Sequence, residues 1–360
     1  MHPFQVTVDY EVLKANYRAL QARNPRSVLV PVVKSDAYGH GSVASTKVFL
    51  EAGARQVVVF RIEEARELRQ AGIDCPIWVL LGPCMDEMQE AVALENLTLG
   101  VHDKAQALAL SREAVAQKRT VPVHLVTDTG LGRIGFLPDQ VGKAAREIAA
   151  LPGLCLRGAY SHIAKAADPN YPVTQRQVAL FRRIVAELPP GCDQNHLCAG
   201  EAFINGLAPE LPYARPGIAL YTAVTPYGET TPVTADAMSV RTRLVSVKRL
   251  PAGSTISYGC IHTLERDSVV GVALIGYDEG VPRTSSDQGV ALVRGQRVPQ
   301  LGIVCMGMIM LDLTDLPNAC VDDEVVLIGK QGKQAILCEE FARRAGTITD
   351  EVICRFGLRR

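Results

Sequence analysis

The chain has no excess of either charge. Lys+Arg and Asp+Glu each number 38 in 360 residues, so no electrostatic case exists for nucleic acid or an anionic membrane as partner. No apolar run approaches the ~20 residues that a membrane-spanning helix needs. The N-terminal stretch Met1–Tyr10 lacks the basic-then-apolar layout of a signal peptide and reads as a short strand. The ten cysteines contain no Cys-x-x-Cys pair, which argues against a zinc site or a disulfide framework. Scattered thiols in a chain of this size fit a reducing cytoplasm. Low-complexity segments are absent too. What remains is a globular, enzyme-sized chain, long enough for one large domain or two.

Against that background one rhythm stands out. Short apolar runs at 28–33, 56–60, 76–81, 98–101, 121–127, 157–161, 194–198 and 215–220 alternate with amphipathic stretches. Ile62, Ala65, Leu68 and Ala71 recur at three-residue steps, and 105–117 and 173–188 carry the same spacing. Eight strand–helix units in about 200 residues predict a parallel (β/α)8 barrel, with a doubly wound open sheet as the alternative. After Pro226 the strands lengthen and crowd together, at 238–250, 268–275, 290–293, 301–304, 309–313 and 324–328, with one late helix near 335–345. This predicts a mainly antiparallel β domain over 231–360 following a barrel over 1–230. Residues 1–10 are a candidate strand of the second domain.

Barrel enzymes keep their reactive groups at the C-terminal ends of the strands. Lys34 follows the first run, where apolar neighbours lower an amine's pKa and free it as nucleophile or base. Asp128-Thr129-Gly130-Leu131-Gly132-Arg133 follows the fifth, Ser161-His162 ends the sixth, and Cys198-Ala199-Gly200 ends the seventh. Arg215-Pro216-Gly217-Ile218 opens the eighth. Taken singly, Arg133 reads as a surface cation, His162 as a satisfied polar residue and Arg215 as a turn anchor. Placed on one face of one barrel, they read as a site.

The segment Lys34-Ser35-Asp36-Ala37-Tyr38-Gly39-His40-Gly41 resembles the cofactor-lysine segment of the alanine racemase family. Asp128–Arg133, Ser161-His162, Arg215–Ile218, Ser257-Tyr258-Gly259, Gly276–Arg283 and Cys305-Met306 are similar to further segments of that family. The resemblance runs from about Val6 to Arg359. It implies pyridoxal 5'-phosphate on Lys34 as a Schiff base. The Tyr38 hydroxyl and the backbone at Gly200, Gly217 and Ile218 would then bind the phosphate, and His162 would set the charge of the Arg215 or tyrosine network. Arg215 would face the pyridine nitrogen. An arginine cannot take that nitrogen's proton, so the ring stays a weak electron sink and the carbanion is returned its proton at the same carbon. Lys34 and Tyr258 would be the two bases, Tyr258 reaching the other subunit of a homodimer with shared sites. Arg133 and Met306 would line the substrate, and Tyr277 and Arg283 the entry channel. The activity implied is racemisation of L- and D-alanine, serving D-alanine biosynthesis.

Four positions depart from the family's pattern. Ala199-Gly200 stand where Asn-Ser is usual, Val126 where a carbamylated lysine is frequent, and Gly307 where an acidic residue is usual. Leu358-Arg359-Arg360 supply no counterpart to the C-terminal tyrosine at the phosphate. These changes predict weaker cofactor binding, a freer Arg133 and a roomier pocket that accepts amino acids larger or more polar than alanine. The alternatives are a decarboxylase on the same fold, whose Cys-x-x-x-Asp signature is not evident, and a cofactor-binding homologue that has lost catalysis.

Overall fold

Runs of Val, Ile and Leu followed by one-sided helices bury both faces of a parallel sheet by wrapping it in helices. In the computed structural model, which describes residues 4–358, this sheet is a barrel. Met1–Pro3 and the basic end Arg359-Arg360 lie outside the described residues. Eight parallel strands, Val28–Leu29, Val57–Val59, Ile77–Val79, Leu97–Val101, Val121–Val126, Leu154–Tyr160, His196–Ala199 and Tyr213–Arg215, follow one another around the sheet. The ring closes where Val32 bridges Val58, with the Val33 N–H donating to the Val58 carbonyl at 2.8 Å. Closure removes the open-sheet alternative.

The outer helices keep the expected spacing. Ile62–Gln70 buries Ile62, Ala65 and Leu68, while Lys104–Ala116 and Pro172–Ala186 bury one stripe each. The eighth strand is displaced from its expected place. It runs Tyr213–Arg215, and Ile218–Leu220 is a 3-10 turn. Pro216 has no N–H to give a neighbouring strand, so Arg215–Ile218 ends the strand rather than opening it. The apolar character of 218–220 comes from burial of that turn.

The second domain is an eight-stranded antiparallel sheet built on the long strand Met238–Leu250. Gln5–Val8 joins it, pairing Val8 with Met238 and Gln5 with Arg241, as the N-terminal strand was expected to. The strand expected at 301–304 lies earlier, at Gln296–Leu301. Two late helices form, Cys338–Arg344 and Thr349–Gly357. The second went unread because β-branched Thr349, Val352 and Ile353 and the terminal Gly357 weaken its helical signature. It returns the chain to the barrel mouth. There Gly357 and Gly39 touch backbone to backbone, and a Cβ on Gly39 would stand 2.6 Å from the Ile353 carbonyl oxygen.

Candidate active site

Lys34 sits at the barrel mouth on a left-handed helical turn, not on an ordinary loop. Ser35, Asp36, Ala37 and Tyr38 all have φ between 51 and 54°. An L-residue there costs about 1–2 kcal/mol, so four in succession must be held from outside. The Glu64 carboxylate accepts the Ser35 N–H at 2.7 Å and the Phe60 and Arg61 N–H groups at 2.6 and 3.0 Å. Asp36 accepts the Ser42 N–H at 2.7 Å. Tyr221, its ring tilted against that of Tyr38 with centroids 5.1 Å apart, donates its hydroxyl to the Val32 carbonyl. Glu64 and Tyr221 were not singled out from the sequence, since a helix-start glutamate and a core tyrosine carry no special signal.

The turn points Lys34 inward, its Nζ 5.5 Å from the Phe60 ring centre and 5.8 Å from that of Tyr38. Burial first, then the cation of Arg133, lowers the amine's pKa, while Asp350 and Glu64 oppose the shift. A cavity of about 400 Å³ opens around it. Lys34, Tyr38, Arg133, His162, Gly200, Arg215, Gly217 and Ile218, all expected at the site, line this cavity.

Arg215 forms its floor. The residue is 3 % exposed, and its guanidinium donates to the carbonyls of Ser161 at 2.6 Å and Leu197 at 3.2 Å. This strand-end contact is made by the Ser161 carbonyl rather than by the ring of His162. Beneath it runs a column of rings. Arg215 lies 5.1 Å from the Tyr160 ring, Tyr160 stacks on His196 at 5.0 Å, and His196 on Trp78 at 4.4 Å. His196 Nε2 meets His124 Nδ1 at 3.1 Å, and His124 Nε2 meets Gln194 at 3.0 Å. Desolvation brings Arg215 down to about 10 and His162 to about 3. The arginine therefore stays cationic at neutral pH and the histidine neutral. Arg215 Nε, wholly buried, has no partner among the described residues. A buried donor left open in a cavity fits an acceptor on a ligand.

The loop that carries Arg133 is tied by Asp128. The Asp128 carboxylate accepts the N–H groups of Gly130, Leu131, Gly132 and Arg133 at 2.9–3.1 Å, fixing the loop. These bonds fix the backbone of the loop that carries Arg133. At the far end, Gly217 admits Tyr38, because a Cβ there would stand 2.5 Å from the Tyr38 hydroxyl oxygen. Gly200 opens no space, contrary to expectation: a Cβ there would stand 2.8 Å from that of Ala219. Gly307 does leave room, its nearest neighbour being the Glu279 carboxylate at 3.8 Å from an added Cβ.

The other expected residues form a second group, on the β domain. Ser257 donates to the Ile303 carbonyl at 2.7 Å, the Tyr277 N–H to the Cys305 carbonyl at 3.0 Å, and the Asp278 N–H to the Met306 carbonyl at 2.9 Å. Tyr258, Met306, Tyr277 and Arg283 do not line the cavity around Lys34. Tyr258 is 69 % exposed and Met306 62 %, with Ile261, Met308 and Tyr277 exposed beside them. Asp350, on the helix Thr349–Gly357, lines the cavity and was not foreseen.

Comparison with known proteins matches both domains. The family model for the alanine racemase N-terminal domain matches residues 8–225, and that for the C-terminal domain matches 237–360. The alanine racemase of Symbiobacterium thermophilum is 38% identical over 359 residues, covering 98% of this chain and 95% of that protein. The alanine racemase structure from the D-cycloserine producer Streptomyces lavendulae superposes with a TM-score of 0.88 at 33% identity, covering 100% of this chain and 96% of that one. A Bartonella henselae alanine racemase solved with covalently bound pyridoxal phosphate superposes at 0.89 with 25% identity, covering 99% and 98%. With both domains matched and relatives alike over nearly the whole chain, this protein belongs to the alanine racemase family.

Proposed function

We propose that the chain racemises alanine or a close α-amino acid with pyridoxal 5'-phosphate on Lys34, as a homodimer whose sites each draw Lys34 from one protomer and Tyr258 from the other. The observation that carries this reading is the meeting, in one cavity, of a buried lysine amine and a buried cationic Arg215 with an open donor. The residues fit the cofactor: Arg215 Nε for the ring nitrogen, and Tyr38 with the backbone at Gly217 and Ile218 for the phosphate. When bound, the cofactor supplies an electron sink for the charge left on Cα after its proton departs.

The protein's own groups do the rest. Lys34, its pKa lowered by burial, exchanges a proton with one face of Cα. The partner subunit's Tyr258 exchanges one with the opposite face, as inversion requires. Arg133, held by Asp128, offers its guanidinium to the substrate carboxylate. Arg215, already protonated, leaves no route for a proton onto the ring nitrogen and so favours its return to Cα.

The dimer is supported by the exposed apolar group around Tyr258, which a single chain leaves in water. A β-domain face carrying half of the catalytic groups would be covered by the second copy. All ten cysteines are free, which supports a cytoplasmic setting. No helix among the described residues is long and apolar enough to cross a membrane. The test is direct. The purified protein should absorb near ~420 nm, as protein-bound pyridoxal phosphate commonly does, and borohydride should fix the label to Lys34. With L-alanine in heavy water, Cα exchange should accompany formation of the D-enantiomer. A label on another lysine, or carbon dioxide release in place of exchange, overturns the reading.

A further inference from the structure

The end of the cavity assigned above to a phosphate is also its acidic end. Asp350 and Glu201 both line it, Glu201 beside Gly200 and Asp350 on the helix that packs against the Lys34–Gly39 turn. The neighbouring Glu351 pairs with Arg355 at 2.6 Å. Asp350 makes no ion pair among the described residues, and the hydrogen bond that helps its charge comes from its own backbone N–H. In the same cavity Arg215, nine-tenths buried, keeps an open donor that calls for a ligand. A phosphate dianion entering here meets a carboxylate.

We propose that the cavity takes up its phosphorylated cofactor together with a proton, shared between the Asp350 carboxyl and a phosphate oxygen, so that cofactor affinity is set by pH through Asp350. The proposal rests on the pyridoxal-phosphate reading above and adds a role for a residue that reading does not use.

Among the described residues, the groups facing Asp350 offer it no ion pair. From the left-handed turn come Lys34 and Tyr38, from the helix Gly200–Ile204 comes Glu201, and one turn along its own helix stands Cys354. Burial pushes the Tyr38 hydroxyl up and the Cys354 thiol to about 11, so both are neutral at pH 7. Glu201 adds negative charge, and desolvation together with Asp350 pushes its carboxyl upward. Among the described residues Lys34 is the cation that eases Asp350, and with the cofactor bound that amine carries it. Burial already pushes the Asp350 carboxyl up in the free cavity. A phosphate beside it raises it further, because like charges disfavour ionisation. Between the free and the bound pKa, binding takes up a proton, and affinity must fall as pH rises. Proton and phosphate then make one O–H···O⁻ hydrogen bond, with no covalent change.

Pyridoxamine 5'-phosphate is the probe, because it lacks the aldehyde and so removes the covalent step at Lys34; proton uptake that persists in Asp350→Asn would belong to the Lys34 amine. Its binding to cofactor-stripped protein is measured by calorimetry at pH 7 to 9, in two buffers of different ionisation heat, beside unphosphorylated pyridoxamine. Wild type should take up a proton with the phosphorylated probe, and its Kd should weaken as pH rises, by at most about tenfold per pH unit. Asp350→Asn should bind more tightly at pH 8 to 9, with a flatter profile and little uptake. Glu201→Gln should keep the uptake, locating the proton at position 350. Equal uptake with the phosphorylated and unphosphorylated probes in wild type overturns the proposal whatever the variants do. So does an unchanged profile in Asp350→Asn. Failure of pyridoxal phosphate itself to bind at any pH overturns the cofactor reading, and this proposal with it.

Discussion

The two groups of site residues differ in how they are held. Around Lys34 everything is enclosed: a strained turn clamped by Glu64, Asp36 and Tyr221, an arginine buried on a column of rings, and a loop tied to one carboxylate. Around Tyr258 almost nothing covers the side chains, although the backbone is fixed by Ser257, Cys305 and Tyr277. The enclosed half is finished within one chain, because a cofactor and a lowered lysine pKa need a dry, prebuilt cavity. The open half has its shape but not its surroundings. Rigid backbone with exposed apolar side chains is the mark of a surface that another surface completes.

Breaking each half separately should give the largest contrast. Lys34→Ala should lower kcat by about 10³-fold or more and abolish the ~420 nm band, whereas Tyr258→Phe should lower kcat by about 10²–10⁴-fold with the band intact. Mixing the two inactive proteins should restore part of the activity through hybrid dimers with one intact site. No recovery, once subunit exchange is verified, would place both bases on one chain or take Tyr258 out of the mechanism.

The clamp on the enclosed half should appear in stability. Glu64→Ala strands the N–H groups of Ser35, Phe60 and Arg61 and should lower unfolding free energy by about 2–3 kcal/mol. Met306→Ala on the open half should stay within about 0.5 kcal/mol. Urea titrations of the cofactor-free proteins decide this, and equal losses would erase the distinction.

Acid should also act on the barrel first. Burial lowers His124 to about 4 from an ordinary 6.5. The unfolded chain then binds more protons than the folded one between those values, so this contribution is whole above pH 6.5 and drains as pH falls towards 4. The expected loss is about 1.4 kcal/mol per pH unit from this group. Melting curves from pH 7 to 4.5 should show it, with a flatter dependence in His124→Asn. An unchanged slope would mean that His124 is not the titrating group.

The smallest effect concerns the open half's reach toward substrate. Gly307 leaves space beside Glu279, so activity across alanine, serine, lysine, arginine and glutamate should be broad, and Gly307→Asp should narrow it by about 10–100-fold. A thousandfold preference for alanine in the unmodified protein would show that the space is not part of the pocket.

The chain order of strands and helices could be read directly, because apolar runs of four to seven residues and three-residue helical steps record burial on local elements. The residues that line the cavity were legible for a related reason. Lys34, Arg133, His162 and Arg215 fall at strand ends, and a parallel barrel sends all its strand ends to one mouth. Tyr258 and Met306 were recognisable by their segments, although no spacing could say which cavity they serve.

Other features belong to the tertiary structure alone. Ser35, Ala37 and Tyr38 have no local preference for a left-handed turn, and Glu64, nearly 30 residues on, helps to hold it by accepting the Ser35 N–H. The loop that carries Arg133 is tied by the Asp128 carboxylate, and Gly200 is filled by Ala219 rather than left open. Asp350 enters the site because Gly39 and Gly357 let two backbones meet across more than 300 residues. Periodicity within a window reports which face an element buries. Contacts between distant windows are decided by packing, and there this chain sets its strained lysine turn and the acid beside it.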